Sequence, residues 1–149
     1  MKIAILSCFY PYRGGISQFN ACLYGELSRN HIVKAFNFKR QYPEFLFPGK
    51  TQFVTEDDEA VPVESESLLD TANPFTYVST YKAIRDWDPD VLIVRYWMSY
   101  FGPSLGYVTR RMKKHCKVIS ILDNVIPHEP RFFDTPLTRY FLSGSIGAF

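Results

Sequence analysis

The first stretch of the chain constrains its fold more than any later one. An apolar run, Lys2-Ile3-Ala4-Ile5-Leu6-Ser7, leads through Cys8-Phe9-Tyr10-Pro11-Tyr12-Arg13 to Gly14-Gly15-Ile16. A run of that length predicts a buried strand. From Ile16 the apolar residues Phe19, Leu23 and Leu27 recur at helical spacing, until Ser28-Arg29-Asn30 supplies a stop. Strand, glycine loop and helix in this order begin an α/β fold. They also place unpaired N–H groups and the positive end of a helix dipole beside two residues with no side chain. Arg13-Gly14-Gly15-Ile16-Ser17 therefore suits a phosphate or carboxylate cradled by backbone; the same glycines also serve an ordinary tight turn. A dinucleotide fingerprint is excluded, since Gly-x-Gly-x-x-Gly is absent and the loop is too long.

The alternation continues downstream. Residues 31–38 predict a second strand through Ile32, Val33, Ala35, Phe36 and Phe38. Residues 43–74, with prolines at 43, 48, 62 and 74 and the acidic stretch Glu56-Asp57-Asp58-Glu59, predict loops with one short strand near Gln52-Phe53-Val54. A helix follows from Pro74 through Phe75, Val78, Tyr81 and Ile84, closing at Trp87-Asp88-Pro89. Asp90-Val91-Leu92-Ile93-Val94-Arg95 is the clearest strand, with the continuous apolar character of a sheet covered on both faces. Phe101, Leu105, Val108 and Met112 trace another helix, residues 116–122 a further strand, and residues 134–146 a last helix. Repeated strand-then-helix order implies a Rossmann-like parallel sheet with helices on both faces. Such sheets bind ligands beyond the carboxyl ends of their strands. That rule selects three loops: 11–16, 95–102 and 123–130.

Composition narrows the function classes. A length of 149 residues fits one domain (1–149) with a sizeable core, and 46% apolar with 21% charged residues excludes a disordered chain. The net charge of +2 is too small to argue for nucleic acid. The cluster Arg110-Arg111-Met112-Lys113-Lys114-His115 reads as a solvated helix end, with a peripheral membrane contact as the alternative. Cys8, Cys22 and Cys116 are few, odd in number and widely spaced, which points to reduced thiols and a cytoplasmic setting. His31, His115 and His128 lack metal-ligand spacing, so no metal is expected. No apolar stretch suits a signal peptide or a membrane span. The aromatic content of 17% suits either a core or surfaces on which sugars stack.

Each selected loop carries chemistry with a plainer alternative. Arg95 leaves an apolar strand at the binding edge, where its planar fork can hold a substrate anion or pair with Asp123 or Glu129. Trp97 can stack on a sugar ring or pack in the core. Asp123 leaves its strand directly. His128 and Glu129 are bracketed by Pro127 and Pro130; the histidine can exchange protons near neutral pH or donate to a phosphate, or the two can form a structural pair.

Taken together, Lys2-Ile3-Ala4-Ile5-Leu6, Pro11-Tyr12-Arg13-Gly14-Gly15-Ile16-Ser17, Pro89-Asp90-Val91-Leu92-Ile93-Val94 and Pro127-His128-Glu129 resemble the N-terminal half of a GT-B glycosyltransferase, the retaining family 4 in particular. The resemblance covers nearly the whole chain. It implies an acceptor-side domain facing a nucleotide-sugar domain across a cleft, with Gly14 and Gly15 toward the donor's phosphates and His128 and Glu129 lining the cleft. The implied reaction moves a hexose from a nucleotide-sugar donor to a saccharide or lipid-linked acceptor, with retention and with neither metal nor other cofactor. Arg13, Arg95 and Asp123 would belong to the substrate- and phosphate-binding set with Gly14, Gly15 and Trp97; His128 and Glu129 would be the catalytic pair. Arg95-Tyr96 stands where many relatives have histidine, and Leu122-Asp123 where many have His-Asp. Glu56 and Glu64 match the family's Glu-x7-Glu spacing but fall in a proline-containing acidic loop, outside the motif's usual place after a Rossmann strand. The donor-side domain lies outside the 149 residues, so the chain alone is expected to be inactive. The rival readings are an inverting GT-B enzyme, a stand-alone Rossmann-like binding module or split-enzyme partner, and a flavodoxin-like or nicotinamide-binding domain.

Overall fold

The computed structural model describes residues 1–46, 51–124, 131–145 and 147–148. The strands are β1 (Lys2–Leu6), β2 (Ile32–Arg40), β3 (Ser65–Asp70), β4 (Val91–Tyr96), β5 (Lys117–Leu122) and the short β6 (Gly147–Ala148). Between them run the helices α1 (Gly15–Ser28), α2 (Pro74–Trp87), α3 (Gly102–Met112) and α4 (Asp134–Leu142). All the strands lie parallel in one sheet, in the order β3-β2-β1-β4-β5-β6. The Rossmann-like α/β class expected from the alternation is the one observed. Its strand order reverses between β1 and β4, which is where open sheets of this kind leave a crevice.

Strand periodicity sorts the core into two layers. Ile3 and Ile5 of β1 and Ala35 of β2 meet Leu23, Tyr24 and Leu27 of α1. Ala4, Leu6, Leu92, Val94 and Val118 face the other way, onto Ile84 of α2, Leu105, Val108 and Met112 of α3, and Phe141 of α4. Because β4 is paired on both edges and covered on both faces, its apolar run is continuous. α2 starts where Asn73 Oδ1 accepts from the Phe75 amide (3.1 Å) and Pro74 fills the first turn. Gly102 of α3 lies so close to α4 that a Cβ there would sit 2.8 Å from the Leu137 carbonyl oxygen.

Three local expectations change. Residues 65–70, read as loop, form β3. It is an edge strand with polar Ser65, Glu66 and Ser67, and Glu66 pairs with Lys34 across the ladder at 2.9 Å. A strand open to solvent on one edge lacks the unbroken apolar run that marks a central one. The region around Gln52-Phe53-Val54 makes a single antiparallel bridge, Phe53 with Tyr12, rather than a strand. The last helix stops at Leu142, and Gly144 then packs against Thr109 and Arg110.

Candidate functional site

The loop after β1 is shaped by two asparagines that reach it from elsewhere. Asn20 of α1 donates to Ser7 Oγ and to the Cys8 carbonyl, each at 2.8 Å. Asn37 of β2, fully buried, accepts from the Phe9 amide (3.0 Å) and donates to the carbonyls of Phe9 (3.2 Å) and Tyr10 (3.0 Å). Buried polar groups persist where they are satisfied, and here they fix the path of the backbone into α1. Neither residue was among the sequence-derived candidates. The available signal for Asn37 was an asparagine set between Phe36 and Phe38 within a predicted strand.

Gly14 sits at the N-cap with φ +110°, a conformation that favours glycine, and no side chain caps the helix. The first intrahelical bond runs from the Gln18 amide to the Gly14 carbonyl (3.2 Å), so the amides of Gly15, Ile16 and Ser17 have no acceptor within the helix. No acidic residue occupies the first turn. The N-terminus of α1 thus presents a partial positive charge without a counterpart on its own helix.

Residues 51–60 lie across this end as a strap. The Arg13 amide donates to the Gln52 carbonyl (3.0 Å), the Val54 amide donates to the Pro11 carbonyl (2.8 Å), and the Tyr12 and Phe53 rings stack at 5.1 Å. Asp58 Oδ2 accepts from the Thr55 amide (2.8 Å) and hydroxyl (3.1 Å), while Oδ1 meets Arg13 Nη2 at 3.2 Å. The Thr55 amide, then its hydroxyl and the Arg13 charge, hold the Asp58 carboxyl below the usual carboxylate range. Between strap and helix lies a shallow cleft with room for about 20 Å³ of water, open to solvent, walled by Arg13, Gly14 and Ser17 on one side and Val54 and Asp58 on the other. Ser17 is 8% exposed, borders the cleft, and its hydroxyl has no hydrogen-bond partner among the described residues. A wider groove, about 460 Å³, flanks Ile32–Lys34, Glu64 and Trp87. It borders the amino-terminal part of β2, and none of the described candidate residues lines it.

Arg95 and Asp123 form a second group. Arg95 Nε donates to Asp123 Oδ2 at 2.6 Å and Nη2 donates to Oδ1, a bidentate fork, while the Phe19 ring covers the guanidinium 4.2 Å from its centroid. Among the described residues, Nη1 is buried and has no hydrogen-bond partner. Of the two sequence readings of Arg95, the pair with Asp123 is present, so its fork is occupied. Cys8 lies near enough to feel both charges, yet burial dominates and pushes its thiol up to about 12. Trp97 is half-buried, its ring 4.5 Å from Phe101 and 6.0 Å from Phe38, inside the aromatic core at the end of β4.

The structure thus gathers Arg13 and Gly14 at one cleft, with Gly15 beside them as the first residue of α1, and joins Arg95 to Asp123; no hydrogen bond or ion pair among the described residues links the two groups. His128 and Glu129 lie outside the described residues. Among those that are described, no cluster of histidine, cysteine, aspartate and glutamate could hold a metal ion, and no helix is long and apolar enough to cross a membrane. Of protein-family models and curated proteins, none matches this chain.

Proposed function

We propose that this chain is the acceptor-side domain of a GT-B glycosyltransferase, and that the cleft at the start of α1 receives the diphosphate of a nucleotide-sugar. One observation carries the reading. At the reversal of strand order, an uncapped helix opened by two glycines faces a cleft into which Ser17 brings an unpartnered hydroxyl and Arg13 a cation. Phosphate oxygens accept from backbone amides and a hydroxyl at once, and the dipole favours their charge. The chemistry then rests on stabilising a departing nucleoside diphosphate, which needs donors on both walls of a cleft. The isolated chain accordingly binds and does not turn over. His128 and Glu129 are the acid–base pair of this proposal.

Titration of the chain with UDP at low ionic strength tests the reading. The expected result is binding that Ser17→Ala and Arg13→Gln each weaken by about fivefold, a loss typical of one hydrogen bond or exposed charge, with unfolding temperatures unchanged. Absence of UDP binding, or binding indifferent to both substitutions, overturns it. A preference for NAD over UDP would point instead to a nicotinamide-binding domain.

A further inference from the structure

We propose that the acidic strap, residues 51–60, is a built-in competitor for the anion of the α1 cleft: Asp58 occupies Arg13 until a diphosphate displaces it. The inference rests on the reading of that cleft as a phosphate site and concerns how its occupancy is controlled.

The strap is held unevenly. Near Tyr12 it is tied by two backbone hydrogen bonds and a ring stack. At its far end the ties to α1 are the Arg13–Asp58 pair and a long hydrogen bond, 3.4 Å, from Gln18 Nε2 to the Glu59 carbonyl. The Asp58 carboxylate is aimed by its own turn rather than by Arg13, because Oδ2 is engaged by Thr55 and only Oδ1 is free to meet the guanidinium. It therefore presents one acceptor and one charge to the cleft.

That arrangement satisfies the cleft in part. Arg13 has a counter-charge, whereas the Ser17 hydroxyl and the first amides of α1 have no acceptor among the described residues. A diphosphate carries more charge and more acceptor oxygens than one carboxylate, and it can engage the guanidinium through two parallel hydrogen bonds. Both partners of the existing pair are open to water, with side chains 44% and 26% exposed, so the contact is weak enough to exchange. The stacked end keeps the strap attached while its acidic end lifts. Only the carboxylate that touches Arg13 competes in this way; Glu56 and Asp57 belong to the same acidic run and make no contact with it.

Calorimetric titration of the 149-residue chain with inorganic pyrophosphate tests the proposal. D58N keeps an oxygen for the Thr55 turn and removes the charge. It should bind pyrophosphate about threefold to fivefold more tightly than the unaltered chain, the range of an exposed ion pair. E56Q and D57N change net charge equally and should leave affinity near the starting value. R13Q should abolish the advantage of D58N. Equal affinity for D58N and the unaltered chain overturns the strap proposal alone. So does an equal gain in E56Q or D57N, which would reflect the general field of the acidic run. If no variant binds pyrophosphate, the phosphate reading of the cleft falls as well.

Discussion

Asn37 shows how much of the site depends on single buried polar groups. Its amide serves the Phe9 amide, the Phe9 carbonyl and the Tyr10 carbonyl together. Truncation would leave the buried Phe9 amide and carbonyl unpaired, together with the part-buried Tyr10 carbonyl, so Asn37→Ala should cost about 3 kcal/mol in urea unfolding. Cys8 gives a residue-scale prediction of opposite chemistry. Burial raises its thiol from 9.0 to about 12, so between those values the folded chain keeps a proton that the unfolded chain releases. Stability is therefore level below pH 9 on this account and falls above it, by up to about 1.4 kcal/mol per pH unit for one group. Tyr12, raised from 10.0 to about 12, and Cys116, raised from 9.0 to about 11, add to the same trend. Urea unfolding from pH 8 upward should show the decline, with a shallower slope in Cys8→Ala.

Among the elements, α1 is the one whose first turn borders the candidate cleft. The two glycines at its start have different duties. Gly14 holds φ +110°, and a Cβ there would meet nothing within 4 Å, so the penalty for a side chain is conformational alone. Gly14→Ala should destabilise by about 1–2 kcal/mol. Gly15 lies in the first turn with equally open space and no positive φ. Gly15→Ala should be neutral or stabilise by up to about 1 kcal/mol, because alanine narrows the unfolded ensemble and favours helix. Thermal unfolding of the two variants checks the contrast. A loss at both positions would mean that Gly15 also needs its missing side chain.

For the molecule as a whole, stability is distributed in layers. β1 and β4 sit at the centre of the sheet with both faces covered, whereas the 51–60 strap rests on a few hydrogen bonds, one ring stack and an exposed ion pair. Native-state hydrogen exchange should find the β1 and β4 amides opening only with global unfolding, and the strap amides at Thr55 and Asp58 opening at much lower free energy. Equal protection in the two regions would make the strap part of the core.

Element order and fold class were legible in the sequence because both are carried by local signals. The apolar runs Lys2–Leu6 and Val91–Tyr96, the helical stripe of α3 and the turn residues Asp88-Pro89 each lie within a window of a few residues. β3 was not legible, because an edge strand buries too little to write an apolar pattern. Of the candidate site, the glycine loop was legible, since a strand, two glycines and a helix are contiguous. Asp123 was one of the partners the sequence offered for Arg95, 28 residues away, whereas the other partners were not legible: Asn37 meets Phe9 across 28 residues, and Arg13 meets Asp58 across 45. A sequence sets which residues need a partner, through the cost of burying charge and polar groups. Which partner each one finds is decided by the parallel sheet, whose crossovers bring distant loops together at one edge.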